Sequence, residues 1–416
     1  MTRRAPVYRW TFDAATQSRR PVRIGELTQE EARWEFLYDP DYLALGKDAW
    51  ELDPTGIRTK QRSAFTRVGV VPPPVFCDIA LSGWSKDALQ KRAGQFLGVE
   101  AANSDEPWGW WERLIYAPAD GFGALFVGHL NDKPDVEKAL QDALGSVTQA
   151  SLANTDIESS SGAMGGERPK VSVFMPGMAG ENGPPTPVLL KFSLPSERTD
   201  SVVAEATALT LGAELGLKVP RHYVKWFNDS PALCIERFDR GSGLTGETYH
   251  CVSAATALDL VPGTDVEDPK RSYVMLRSKL KRPEDARELF RRIVLNAVVG
   301  NTDDHPWNTS LRQGGLGDWE LAPLYDVMPY FERKNRPVFR MALTHTRARA
   351  ATRTNLITAG KQIAALTDAE VNDIIEVTNA YVRDNWRRVF KAHSVRDASA
   401  NPNDWARVFE YDWIGD

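Results

Sequence analysis

Apolar residues recur at helical spacing over Leu289, Phe290, Ile293, Val294, Ala297 and Val298, behind a Pro283-Glu284-Asp285 start. Proline at the first position, acids in the first turn and a 3.6-residue period together predict a strong helix. Val371, Ile374, Ile375, Tyr381, Trp386 and Phe390 repeat the pattern and predict a helix from about Asp368 to Lys391. Asp200 is placed to cap a helix through Val202, Val203, Ala206 and Leu209 that closes at Gly216, and Trp84 to Arg92 predicts another. Before these, short apolar runs bounded by Gly, Pro and Asp predict strands at Tyr8 to Phe12, Ala124 to Val127, Val171 to Met175 and Val188 to Phe192. Ala232 to Arg240 reads as a strand running into a polar linker, and Ala150 to Ser161 as a flexible lead-in. Strands gather first and helices second, the α+β order of a two-lobed, protein-kinase-like fold with a β-rich N-terminal lobe and a helical C-terminal lobe. Three segments follow: 1–135 as an N-terminal subdomain, 136–238 as a strand-rich core with a Gly-rich loop, and 239–416 as the helical part.

The chemistry gathers just after the Pro283 helix. Asp303 and Asn308 stand five residues apart, and Asp326 follows a short hairpin. In a protein-kinase catalytic loop that spacing separates the Asp that handles the acceptor hydroxyl from the Asn that holds magnesium, and a further Asp completes the metal site. A migrating phosphoryl group carries dense negative charge, so catalysis is mostly positioning and neutralisation. Magnesium takes hard oxygen ligands, which a carboxylate and an amide oxygen supply. Two other readings stand beside this one. Asp303, Asp304 and Asn308 suit an Asx-rich turn after a helix. Asp303, Asp304 and His305 suit a metal hydrolase, although no other His lies close in sequence to complete its site.

Upstream, Gly165-Gly166-Glu167-Arg168-Pro169-Lys170 offers backbone N–H groups and basic side chains to a polyphosphate, or forms a plain hairpin turn. It is neither a Walker loop nor a Gly-x-Gly-x-x-Gly loop. Lys191 lies inside a short apolar strand, where it either extends to water or pairs with nucleotide phosphates. Glu205 is its available acidic partner, or an exposed first-turn acid.

Composition leaves this picture standing. The chain has 416 residues, enough for two or three cores, with 42% hydrophobic and 26% charged residues. A net charge of -5 does not suggest a nucleic-acid binder, and the nearby Arg347, Arg349 and Arg353 read as a solvated face or as a local basic patch. Three widely spaced cysteines fit reduced thiols. No apolar window is long enough to span a bilayer, so the expectation is a soluble, cytoplasmic protein with no membrane partner.

With these residues in place the chain resembles the HipA-like serine/threonine kinases, the toxins of bacterial toxin–antitoxin pairs. The likeness rests on the Gly165–Lys170 loop, on Leu190-Lys191-Phe192 and on Ile235-Glu236-Arg237-Phe238-Asp239-Arg240. It rests most specifically on Asn301-Thr302-Asp303-Asp304-His305-Pro306-Trp307-Asn308 with Leu321-Ala322-Pro323-Leu324-Tyr325-Asp326-Val327. The resemblance implies an ATP- and magnesium-dependent kinase of a protein substrate, restrained by a small DNA-binding antitoxin and meeting DNA only through it. It implies Asp303 as the catalytic residue and Asn308 and Asp326 as magnesium ligands. Gly165, Gly166, Glu167, Arg168, Lys170 and Lys191 would contact phosphate, Glu236, Arg237 and Phe238 would form the adenine-side hinge, and His305 and Tyr325 would lie beside the nucleotide. Family members often carry an autophosphorylated Ser where Ala163 stands here, sometimes with a second at the position of Gly165, and often a Gly where Asp304 stands. Those departures motivate an alternative, a degenerate kinase fold acting as a binding partner or co-repressor. A small-molecule kinase shares every residue named and differs only in the acceptor.

Overall fold

A computed structural model describes residues 1–13, 15–60, 63–97, 106–148, 158–162, 166–175, 185–193, 197–198, 200–227, 230–241, 246–314, 318–331, 337–394 and 400–414. Ala163 and Gly165 lie outside them. The chain combines sheets and helices and divides into two compact units. The first is Met1–Ser196 with Trp226–Val252 and Gln313–Gly317, and the second is Glu197–Lys225 with Ser253–Arg312 and Asp318–Asp416.

In the first unit, β1 (Thr2–Asp13), β2 (Ser18–Glu30), β3 (Arg33–Tyr38), β4 (Phe65–Val68) and β5 (Leu125–Val127) form a sheet in the order β4-β3-β2-β1-β5. β1 and β2 make a long antiparallel hairpin whose register shifts between Val7 and Tyr8. Along β3, Trp34, Phe36 and Tyr38 are buried and the residues between them are not, the period of two that a half-buried strand requires. The opposite face of β1 is also used: Trp10 packs with Ala124 and Phe126, and its indole N–H donates to the Ala119 carbonyl at 2.8 Å.

The second sheet of this unit orders β6 (Glu158–Gly162), β7 (Lys170–Met175), β8 (Thr186–Phe192) and β10 (Ser230–Glu236), while β9 (His222–Phe227) lies mostly in the second unit. Every residue of β7 is buried, Ser172 included, which explains why Val171 to Met175 reads as a near-continuous apolar run and not as a strict alternation. The strand expected to run into a polar linker within Ala232 to Arg240 spans Ser230–Glu236, and Arg237 to Arg240 follow it outside any strand.

The second unit is mainly helical. The helix Pro283–Val298 starts with proline at its head and acids in its first turn, as its pattern predicts. Asp285 there does more than favour the helix dipole: it is buried, accepts from the Leu321 N–H at 3.2 Å and pairs with Lys218. The helix Asp368–His393 begins with a capping box between Thr367 and Glu370. The helix Arg353–Ala364 approaches both at Gly360, where an added Cβ would stand 2.3 Å from Val371 and 3.1 Å from Phe290. Two expectations change in this unit. Asp200 sits at the N-cap of Ser201–Glu214, yet its carboxylate accepts from Arg198 and the Trp405 indole, not from the helix N–H groups. Glu205 is fully buried and not an exposed first-turn acid, because this helix is apolar nearly all round.

Candidate active site

The candidate residues fall into two sets. Gly166, Glu167, Arg168, Lys170, Lys191, Glu236, Arg237 and Phe238 belong to the first unit, and Asp303, His305, Asn308, Tyr325 and Asp326 to the second.

In the first unit, Gly166 has φ +112°, a conformation that favours glycine, and a Cβ there would stand 2.4 Å from the Lys170 ammonium. The Gly166 carbonyl accepts from the Trp84 N–H at 2.9 Å, and a Cβ on Gly83 would collide with that carbonyl. The end of the Gly-rich loop is thus seated on the start of the Gly83–Gln90 helix, a contact with no local sequence signal. Lys170 and Lys191 are directly opposite on β7 and β8 and share one face of the sheet. Both are buried, Lys191 with only 4% exposure, so it does not extend to water.

Arg237 has a different setting from the one expected of a nucleotide-side hinge. Its side chain is buried and its guanidinium donates to both oxygens of Asp239, to Ser172 Oγ at 2.9 Å and to the Gly121 carbonyl at 2.6 Å. Its backbone N–H goes to the Pro187 carbonyl at 2.9 Å. Arg240 bonds the same Gly121 carbonyl and pairs with Asp239 and Asp120. Burial alone would push the carboxyls of Asp120 and Asp239 up, but the two guanidinium groups outweigh it and hold both below the usual carboxylate range. This network, which Arg19 also joins through Asp120 at 2.8 Å, escaped sequence reasoning, although the charged run Glu236-Arg237-Phe238-Asp239-Arg240 at the end of an apolar strand was its visible sign. Phe238 is half-buried and meets Phe122 edge to face.

In the second unit the Pro283–Val298 helix delivers an irregular loop braced by amides. The Asn301 side chain donates to the Asn296 side chain at 3.1 Å, and its oxygen accepts from the Asp303 N–H at 3.3 Å. Asp303 is exposed, its carboxylate 3.2 Å from Arg340 Nε. Asp304 turns the other way. It is buried and accepts from the Tyr273 hydroxyl at 2.5 Å and from the Asn296 amide at 2.8 Å. Burial raises its carboxyl pKa despite those bonds. The Asn308 amide nitrogen donates to the Asp303 carbonyl at 3.0 Å, which leaves Oδ1 as its ligating atom. The Tyr325 hydroxyl bonds Ser310 and the Trp307 carbonyl, bracing the loop from the irregular segment that follows the Trp319–Leu321 strand. Asp326 has φ +57°, left-handed backbone that costs a non-glycine residue about 1–2 kcal/mol and is found where geometry at a site demands it. Asp303 and Asp304 facing apart is a poor start for a shared metal, and no group of three or more His, Cys, Asp or Glu side chains poised for one occurs among the described residues. Tyr273, Asn296 and Arg340 are additions, each far from the loop in sequence or silent in any motif.

Comparison with known proteins adds the following. The family model of the HipA-like C-terminal domain matches residues 162–386. Two proteins of Sinorhizobium fredii are similar in sequence. "Putative kinase Y4mE" is 32% identical over 132 residues, which is 30% of this chain and 31% of that protein's length. "Putative kinase Y4dM" is 25% identical over 305 residues, 67% of this chain and 68% of that protein. Among solved structures, that of the Shewanella oneidensis toxin–antitoxin system HipA, HipB and operator DNA superposes with a TM-score of 0.61 at 16% identity, over 98% of this chain and 92% of that one, a likeness of fold.

Proposed function

Because this chain belongs to the family of the HipA-like C-terminal domain, we propose that it is a two-lobed, ATP- and magnesium-dependent kinase that phosphorylates serine or threonine in a protein. The single observation that carries the reading is the loop after the Pro283–Val298 helix. It turns Asp303 outward, turns Asp304 inward, and ties Asn308 to the Asp303 backbone. A pure Asx turn has no need of an outward carboxylate whose neighbour is anchored in the core.

In this reading Asp303 orients the acceptor hydroxyl and takes its proton as the oxygen attacks. Asn308 Oδ1 and the Asp326 carboxylate are hard oxygen donors that fit magnesium. Bound magnesium–ATP supplies the phosphoryl group and neutralises its charge. Lys170 and Lys191, opposite each other on one sheet face, are assigned to phosphate with Gly165, Gly166, Glu167 and Arg168. Glu236 and Phe238 keep the adenine side. Arg237 positions them through its buried network. His305 and Tyr325 line the nucleotide side, Tyr325 also holding the loop. The relatives' names as kinases agree with this reading. A small DNA-binding antitoxin is the proposed partner, through which the chain would meet DNA. The non-catalytic alternative loses one motive, since Asp304 is buried against Tyr273 and Asn296 and does not crowd Asp303 as an exposed charge.

The test is transfer of labelled γ-phosphate from ATP to protein in a cell extract. Asp303→Asn and Asp326→Ala are each expected to lower transfer by about 100-fold or more. Full activity in both variants would sink the assignment.

A further inference from the structure

The N-terminal sheet holds a charge that the phosphotransfer reading does not use. Arg9, on β1, is 6% exposed, and its Nε is buried with no hydrogen-bond partner. Its guanidinium lies 3.8 Å over the Trp50 ring. The groups that favour its charge are the hydroxyls of Tyr42 and Tyr38, not a carboxylate. The imidazole beside it offers no anion either. His250 is neutral, pushed down to about 3 by burial and by Arg9, and its Nε2 bonds the Leu52 carbonyl. The nearby Asp53 carboxylate is occupied by the N–H groups of Thr55, Gly56 and Ile57. A guanidinium stays charged at any physiological pH, and a buried charge without a counter-ion is strongly disfavoured. A cation–π contact offsets only part of that cost.

Arg9 lines a cavity of about 340 Å³ between the β1–β2 hairpin and the segment that carries Tyr42, Leu45 and Asp48. Its other charges are Arg20, Asp13 and Asp48, and Arg20 already faces Asp13 at 4.0 Å. The lining thus carries no net positive charge, which disfavours a polyanion, while Asp48 is exposed and the Arg9 guanidinium is the one buried charge among them. We propose that this cavity binds a small organic acid through its carboxylate, held by the Arg9 guanidinium. A planar carboxylate matches the guanidinium fork, and the Leu45 side of the lining suits a short apolar tail.

Thermal unfolding of the full chain tests this, with acetate, butyrate and glutamate compared against chloride and inorganic phosphate at one ionic strength. A ligand that binds only the folded state raises the midpoint with concentration. At least one of the three carboxylates is expected to raise it by several degrees beyond chloride, and phosphate is not. The rise should disappear in Arg9→Gln and in Leu45→Trp. Leu45 is 48% exposed, so its replacement fills the cavity without emptying a core and keeps the test open if Arg9→Gln does not fold. The proposal is overturned if no carboxylate exceeds chloride, if phosphate matches the carboxylates, or if the rise survives in Leu45→Trp.

Discussion

Asp303 and Asp304 are neighbours of one chemical type with opposite surroundings, and each surrounding makes a prediction. The Asp303–Arg340 pair is exposed on both sides, and such pairs contribute about 0–1 kcal/mol. Breaking the pair is therefore expected to change stability little. Asp304 is the reverse. Its carboxyl pKa is raised by burial, so the folded chain holds that proton more tightly than the unfolded chain, whose value is about 3.9. The charged form then costs stability above the folded value, and the cost vanishes below about pH 4. Asp304→Asn keeps an acceptor for Tyr273 and removes the charge. In urea unfolding, its stability relative to the wild type is expected to improve as pH rises from about 4 to 8. Asp304→Ala strands the Tyr273 hydroxyl and the Asn296 amide, with an expected loss of about 1–3 kcal/mol at neutral pH. A pH-independent difference for the Asn variant would contradict the raised value.

At the scale of elements, the helices over Pro283–Val298 and Asp368–His393 were legible because their apolar periods are long and their starts are signed. The strands β3 and β4 were less so, since a half-buried strand of six residues or fewer such as Arg33–Tyr38 repeats too briefly to stand out. How elements meet was not legible at all. Gly360 looks like a weak helix position, and replacing it by Ala adds about 1 kcal/mol of intrinsic helix propensity. The contacts with Val371 and Phe290 reverse the sign. Gly360→Ala should destabilise by about 1–3 kcal/mol, readable as a lower urea midpoint at unchanged slope. The buried network around Asp120 joins the loop before β5 to the end of β10. Asp120→Asn leaves Arg237 and Arg240 with one fewer counter-charge, and a loss of about 3–5 kcal/mol is expected. Because folding lowers the Asp120 and Asp239 values, their stabilisation is full above about pH 4 and falls away as pH drops below it. The acid-unfolding midpoint of Asp120→Asn should therefore lie higher in pH than that of the wild type.

For the whole molecule, the two sets of candidate residues sit in different compact units, and the proposed function assigns residues of both sets to magnesium–ATP. Magnesium–ATP at 100 times its dissociation constant should raise stability by about 2.7 kcal/mol. In a thermal scan that increment is expected to be lost in Lys191→Ala, from the first unit, and in Asp326→Ala, from the second. Loss in one variant alone would restrict the nucleotide site to that unit. No helix among the described residues is long and apolar enough to cross a membrane.

The order of strands and helices, the spacing of Asp303, Asn308 and Asp326, and membership of the HipA-like family over residues 162–386 are written in the chain itself. They are legible because periodicity and motif spacing are local properties of the backbone. Which of two adjacent aspartates faces water, whether Lys191 is buried opposite Lys170, and that Arg237 is locked into a salt-bridge network were decided only by tertiary structure. Those outcomes depend on partners such as Tyr273, Lys170 and Asp120, brought in from distant segments. Burial and charge pairing are properties of the packed neighbourhood and not of any one stretch of sequence.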